Sequence, residues 1–220
     1  MKKFRFSIIV PFHQYYAKIQ SCIDSLIEQT FKNFEVILVC QTQYDFMFLK
    51  DMFNNTKLHY SIYKIPQFDL STARNKGLKN STGEYVLFLD ADDMYDRKVL
   101  EEINKSLYTN HVDIVHFDAC RFDEKNVLSM FIWPKIYGNS VQHYLEKLLK
   151  SKSRLWGIPL HNAFRRKLLI SKKIYFKPKI LHEDFPFFFQ ALFEAKSIKA
   201  INFCGYFYYK NNLGIIHNNN

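Results

Sequence analysis

The sequence predicts an α/β fold: a mostly parallel central sheet with helices on both faces, forming a single domain. Three observations carry that expectation. Short runs such as "FRFSIIV", "FEVILVC" and "EYVLFLD" are apolar almost throughout rather than alternating, as strands covered on both faces of a parallel sheet are. Segments with helical apolar spacing lie between such runs. Finally, 220 residues with 48% hydrophobic content suit one domain with a sizeable core.

Residues 4–10 form the first expected strand, closed by Pro11. Ile19, Cys22, Ile23, Leu26 and Ile27 then recur on one helical face. Residues 34–40 read as a second buried strand and 58–65 as a third, more exposed one. A short helix is expected over 70–80, capped by Asp69 or Ser71, with Gly83 marking the turn out. Residues 84–90 give the fourth strand, 97–109 a helix and 112–120 a fifth strand. This alternation implies right-handed βαβ units. Further on, Ser140 can cap a helix with Val141, Tyr144, Leu145, Leu148 and Leu149 on its apolar face. Another helix fits 182–195, with acids and Pro186 in its first turn. Residues 197–210 read as a hairpin or two short strands around Gly205.

The charge balance, 31 Lys+Arg against 21 Asp+Glu, gives a formal +10 and suits an anionic partner. Phosphorylated ligands, an acidic membrane surface and nucleic acid all fit that sign, but no nucleic-acid-binding motif is present. Cys22, Cys40, Cys120 and Cys204 are scattered without CxxC or metal-ligand spacing, so buried free thiols in a reducing compartment are expected. The start "MKKFRFSIIVPFHQ" lacks a signal-peptide cleavage pattern. No apolar run approaches the roughly 20 residues that cross a bilayer. The expectation is a cytoplasmic chain, at most peripheral on the inner face of a membrane.

The stretch "EYVLFLDADDMYD" drives a buried strand into Asp90, Asp92 and Asp93. Carboxylates this close repel one another unless water or a cation compensates. Alone, the cluster reads as a surface turn. In a parallel sheet, however, ligands bind beyond the carboxyl ends of the strands. Both the Asp cluster and "VPFHQ" after the first strand occupy such ends.

Four stretches together resemble the family 2 glycosyltransferases, with their nucleotide-diphospho-sugar transferase fold. "FSIIVPFHQ" is similar to the family's opening strand and loop. "LSTARNKGLKNSTGEYVLFLDADD" resembles its central Ala-Arg-Asn-x-Gly helix followed by a strand ending in Asp-x-Asp. "WGIPLHNAFRRKLL" is similar to the acceptor-side segment, and "HEDFPFFFQAL" to the Glu-Asp helix. The resemblance implies a nucleotide-sugar-binding half over 1–120 and an acceptor-binding half over 121–220. It also implies an inverting, metal-dependent hexosyl- or N-acetylhexosaminyltransferase. The donor would be a nucleotide-sugar, most simply a UDP-sugar. The acceptor would be a glycan or lipid-linked glycan, in surface polysaccharide or lipooligosaccharide synthesis.

Residue by residue, the resemblance makes Asp92 the direct ligand of Mn²⁺ or Mg²⁺, with Asp90 on the ribose or metal-bound water. Asp93 would belong to the turn. A divalent cation with oxygen ligands suits a diphosphate leaving group. Arg74 would face the diphosphate, and Asp184 would be the base, with Glu183 orienting the acceptor or the helix. Pro11, Phe12, His13, Asn75, Trp156 and His182 would line the site, and His217 would be a C-terminal metal ligand. After the second strand many members carry Asp-Asp-Gly-Ser, whereas this chain reads "VCQTQYD", with Cys40 and Gln41 in place of the two acids. Gln41 has the donors and acceptor to pair with a uracil edge, and Asp45 is the other candidate. The run Arg165 to Lys179 holds seven basic residues and no acid, fitting either a solvated face or docking to an anionic membrane.

Two other classes compete. A non-catalytic nucleotide-sugar binder would account for the missing uracil-site acids. A metal-dependent phosphatase also places Asp-x-Asp at a strand end, but its motif normally opens the domain and continues to Thr or Val where this chain has Met94.

Overall fold

The computed structural model describes residues 4–13, 18–108, 111–122, 127–131, 140–150 and 158–209. The chain begins in the middle of its sheet with β1 (Phe6–Pro11), passes through α1 (Ile19–Ile27) and lays β2 (Phe34–Cys40) beside it. After α2 (Gln43–Asn54), β3 (His59–Lys64) forms the sheet edge. Then α3 (Leu70–Asn80) carries the chain back across, so that β4 (Tyr85–Phe88) pairs on the other side of β1. All pairs within β3-β2-β1-β4 are parallel. The strand order reverses between β1 and β4, and that crevice beyond the strand ends is where such sheets hold ligands.

The second half has mixed pairing. Next come β5 (Met94–Tyr95), α4 (Val99–Ser106), β6 (Ile114–Phe122), β7 (Val127–Phe131) and α5 (Val141–Lys150). A 3₁₀ turn (Ile158–His161) leads into β8 (Asn162–Arg165), α6 (Arg166–Ser171), α7 (Asp184–Glu194) and β9 (Ile198–Tyr209). Among the described residues the sheet has nine strands in the order β3-β2-β1-β4-β8-β6-β9-β5, with β7 on β6. Here β8 runs antiparallel to both β4 and β6, while β9 is parallel to β6. No described helix is long and apolar enough to cross a membrane.

The continuous apolar strands behave as their composition requires. Every residue of β1, β2 and β4 is buried, so both faces of the central sheet are covered. Glu35, the acid within β2, accepts hydrogen bonds from the Ser7 hydroxyl (2.6 Å) and from the Thr82 backbone (2.7 Å) and hydroxyl (2.8 Å). A buried carboxylate is tolerated only with such partners. The Thr82-Gly83 turn is pressed against β1: a Cβ at Gly83 would stand 2.6 Å from the Ser7 backbone nitrogen.

Several expectations are corrected. The third strand is preceded by α2, a helix that the sequence reading omitted. Its cap is Thr42, which accepts from the Asp45 backbone (2.9 Å), while the Asp45 side chain accepts from Thr42 N–H (3.0 Å). Asp45 is therefore occupied as the acid of a capping box. Asp69, not Ser71, caps α3, accepting from Thr72 N–H at 2.7 Å, while Ser71 reaches the Lys177 carbonyl. Pro11 lies within β1, in register with Val39. Residues 198–209 are one long strand rather than a hairpin, and its register against β6 shifts beside Asp118. That alignment brings Cys120 and Cys204, 84 residues apart, into a disulfide, leaving Cys22 and Cys40 as buried free thiols. The thiol argument for a reducing compartment therefore loses half its cysteines.

An aromatic cluster fastens the second half to the first. Phe187 of α7 stacks on Phe176 (3.9 Å between centroids) and meets Phe88 of β4 (5.6 Å) and Phe164 of β8 (5.4 Å) edge-on. Pairs of this kind contribute about 0.5–1.5 kcal/mol each beyond area burial. Phe187→Ala is expected to cost about 3–5 kcal/mol, read as a lower urea midpoint. A midpoint shift equivalent to less than about 1 kcal/mol would mean that the cluster repacks and that α7 does not depend on it.

Candidate active site

Helix α3 sits close to the sheet because Gly77 has no side chain: a Cβ there would lie 2.4 Å from Ile9 Cγ2. So seated, α3 delivers Arg74 into a junction. One guanidinium nitrogen donates to Asp90 Oδ1 at 2.8 Å and another to Glu183 Oε1 at 3.0 Å. Arg74 is only 3% exposed and lies 5.1 Å from the Phe176 ring centre. Burial works against its charge, but Asp90 and Glu183 more than compensate and hold it firmly protonated. It is neither the solvated arginine of a bland surface helix nor a cation left open. It joins the Asp-x-Asp strand end to the Glu-Asp helix.

Beyond β4 the three carboxylates take different places. Asp92 is pushed up to about 6, first by burial and then by the charge of Asp90, while Lys18 pulls the other way. Asp93 is buried, accepting from the Tyr206 hydroxyl and from Tyr209 N–H (2.8 Å). Burial, then Asp92 and Asp90, drives its pKa well up. Asp93 thus anchors β9 to the strand end. Tyr208 stands near enough that burial and all three carboxylates raise its hydroxyl to about 12. Lys18, 3.8 Å from the Tyr209 ring centre, completes this wall. Sequence reading missed Lys18, Tyr206, Tyr208 and Tyr209. The run "YFYY" was visible, but nothing local shows that a strand over a hundred positions away reaches Asp93.

On the opposite side, Glu183 and Asp184 open α7, and burial raises both above the usual carboxylate range. The segment leading to them is pinned by Asn75, whose amide donates to the Phe176 carbonyl (2.7 Å) and accepts from Phe176 N–H (2.9 Å). His182 is exposed, with a positive φ of 56°.

The remaining expected residues lie at the ends of β1 and β2. Phe12 is buried, its ring stacked near Phe48 and its N–H donating to the Val39 carbonyl at 2.8 Å. His13 stacks on Phe68 at 4.5 Å. Gln41 donates to the Pro66 carbonyl at 3.5 Å and keeps part of its surface in solvent. Trp156 and His217 lie outside the described residues. Among the described residues no three His, Cys, Asp or Glu side chains assemble into a self-sufficient metal cage. Asp90 and Asp92 still fit a hard cation, since Mg²⁺-like ions take one or two carboxylates and complete their shell with phosphate and water. The upward pressure of burial and of Asp90 on Asp92 is what a cation would relieve.

Comparison with known proteins follows this geometry. A model of the family described as Glycosyl transferase family 2 matches residues 7–175. The cholesterol galactosyltransferase of Borreliella burgdorferi is 25% identical over 216 residues, covering 94% of this chain and 60% of that protein. The poly(ribitol-phosphate) β-N-acetylglucosaminyltransferase TarS of Staphylococcus aureus is 25% identical over 93% of this chain and 35% of its own. Crystalline S. aureus TarS with UDP-GlcNAc superposes at a TM-score of 0.82 and 22% identity, covering 99% of this chain and 62% of that one. The mannosyltransferase PcManGT of Pyrobaculum calidifontis, with GDP-Man and Mn²⁺, superposes at 0.66 and 19% identity, covering 94% of this chain and 57% of that one. These structural matches establish a shared fold. The chain spans 60% of the first of these relatives.

Removing one partner of a fully buried ion pair costs about 3–5 kcal/mol. Asp90 and Glu183 keep 26% and 16% of their side-chain surface in water, which screens part of that penalty. Arg74→Met is therefore expected to lose about 2–3 kcal/mol of unfolding free energy, measured by urea titration. Wild-type stability in this variant would show that the bridge does not hold the two halves of the site together.

Proposed function

The chain belongs to glycosyl transferase family 2, and on that premise we propose that it moves a sugar from a UDP-sugar to a hydroxyl of a glycan or lipid-linked glycan, with inversion. The observation that carries this reading is the Arg74 bridge. It ties the Asp-x-Asp strand end to the Glu183–Asp184 helix start, and in this reading the first serves the donor and the second the acceptor. Relatives bearing cholesterol and poly(ribitol-phosphate) in their names support an acceptor on a cell-surface lipid or polymer. Surface polysaccharide or lipooligosaccharide synthesis is the corresponding setting.

In this reading the nucleotide lies across the ends of β1, β2 and β4. Gln41 and the His13–Phe68 stack sit where a base would enter, and Asp90 faces the ribose. Asp92, with Asp90, would hold Mn²⁺ or Mg²⁺, and His217 is a further ligand candidate. Bound there, the cation would neutralise charge developing on the departing diphosphate. Arg74 holds Asp90 in place through its 2.8 Å hydrogen bond. Asp184 takes the proton of the attacking hydroxyl, because a single inverting displacement needs a base on the face opposite the leaving group. Glu183, held by Arg74, fixes the start of α7 and with it the position of Asp184.

Asp92→Ala is expected to remove Mn²⁺-dependent UDP binding, measured by calorimetry, while leaving the melting temperature near wild type. Unchanged metal-dependent binding would return the cluster to a surface turn. Incubation with UDP-GlcNAc should release UDP, and release of inorganic phosphate instead would favour the phosphatase alternative.

Asp184→Asn should bind UDP normally yet transfer at least about a hundredfold more slowly, the usual scale for a lost general base. A base must be ionised to act, and burial raises Asp184. The acid limb of wild-type kcat/KM should therefore fall at a pH above the ordinary Asp value of about 3.9. An acid limb at or below the ordinary value, or near-wild-type transfer by the Asn variant, would move the base elsewhere.

A further inference from the structure

The basic run that stands out in the sequence divides in the folded chain. Arg166 donates to Ser81 Oγ at 3.0 Å, and Arg165 lies 3.8 Å from Asp113, so both are tied to the body of the protein. Lys167, Lys173, Lys177 and Lys179 are exposed; Lys179 lies near Asp69, whose carboxyl it helps hold down against burial. Lys79 of α3 joins them, its ammonium 5.7 Å from the ring centre of Tyr175. The segment is fixed against α7 at both ends. Lys172 pairs with Glu194 at 2.7 Å, and the chain runs into α7 through His182.

Two exposed apolar side chains flank this segment in the chain: Leu181 two residues after Lys179, and Phe193 next to the Glu194 that pairs with Lys172. Leu181 is 80% exposed and Phe193 72%. Phe193 follows Phe185 and Phe189 at four-residue spacing, its ring centre 6.4 Å from that of Phe189; Phe185 and Phe189 pack partly against the core, which leaves Phe193 as the exposed end of the stripe. Tyrosines apart, Leu181 and Phe193 are the two most exposed large hydrophobic side chains among the described residues, and a soluble polyanion would engage the lysines alone. Lysines around protruding apolar groups match an anionic bilayer, which attracts the cations and accepts the side chains at its interface.

We propose that this face, formed by Lys79, Lys173, Lys177, Lys179, Leu181 and Phe193, docks on an anionic membrane surface. It leads directly into Glu183 and Asp184, so docking would bring the acceptor side of the site to the lipid. This rests on the reading of the acceptor as lipid-linked and gives that acceptor its location.

Co-sedimentation with vesicles of phosphatidylcholine, alone or mixed with phosphatidylglycerol, tests it. Wild type should sediment with the mixed vesicles, weakly with the neutral ones, and less at high salt as screening sets in. The triple variant Lys173→Gln, Lys177→Gln, Lys179→Gln should partition roughly a hundredfold more weakly, at about fivefold per lysine. Leu181→Ser with Phe193→Ser should also weaken binding to mixed vesicles but leave the remainder salt-sensitive. The proposal fails if wild type ignores both vesicle types, if the triple variant sediments like wild type, or if the lysines retain inorganic polyphosphate while vesicles are ignored. UDP release in lipid-free buffer, measured on the same wild-type protein, tests the transfer reading separately. The triple variant should match wild type in that assay, so a failed docking surface and a failed transferase give different results.

Discussion

A buried guanidinium between two carboxylates governs how this molecule is put together. Arg74 comes from a helix of the first half, Asp90 from the end of a central strand, and Glu183 from the start of a helix in the second half. An ion buried to this degree is stable only with its partners in place. Each element is therefore constrained by the other two. Gly77 lets α3 approach the sheet, Asn75 holds the Phe176 backbone, and the aromatic cluster carries α7. All of these contacts keep the guanidinium within reach of both acids.

The same economy explains why three neighbouring aspartates do not repel the strand end apart. Asp90 is paired with Arg74, and Asp93 accepts from Tyr206 and Tyr209 of β9. The remaining strain falls on Asp92, which is pushed up to about 6 by burial and by Asp90. Asp93 thus serves the architecture, Asp90 is tied to Arg74 through one oxygen, and Asp92 is left needing positive charge. The interaction of Asp93 with β9 also makes the end of the described chain part of the wall around the cluster, together with Lys18.

Charge is sorted in the same way over the surface. Within one basic run, Arg165 and Arg166 serve the fold and Lys172 pairs with Glu194, while Lys167, Lys173, Lys177 and Lys179 remain exposed. Arginine suits the first task because its planar fork holds partners in fixed directions, and lysine suits the second because its charge stays hydrated on a flexible stem.

The sequence by itself determined the parallel first half, because strands covered on both faces must be apolar throughout and their helices must carry a 3.6-residue stripe. It also made the Asp cluster at a strand end and the Glu-Asp pair at a helix start legible, since both are local patterns of residue type. It did not reveal α2, whose Thr42–Asp45 capping box was legible but was passed over in favour of a ligand role for Asp45. Only the tertiary structure decided that Arg74 is held between Asp90 and Glu183, that Tyr206 belongs to Asp93, and that Cys120 meets Cys204. Those partners are 16, 109, 113 and 84 positions apart. No local propensity encodes such distances, because they are fixed by the order and register of strands, and that order is settled by the burial of the whole sheet at once.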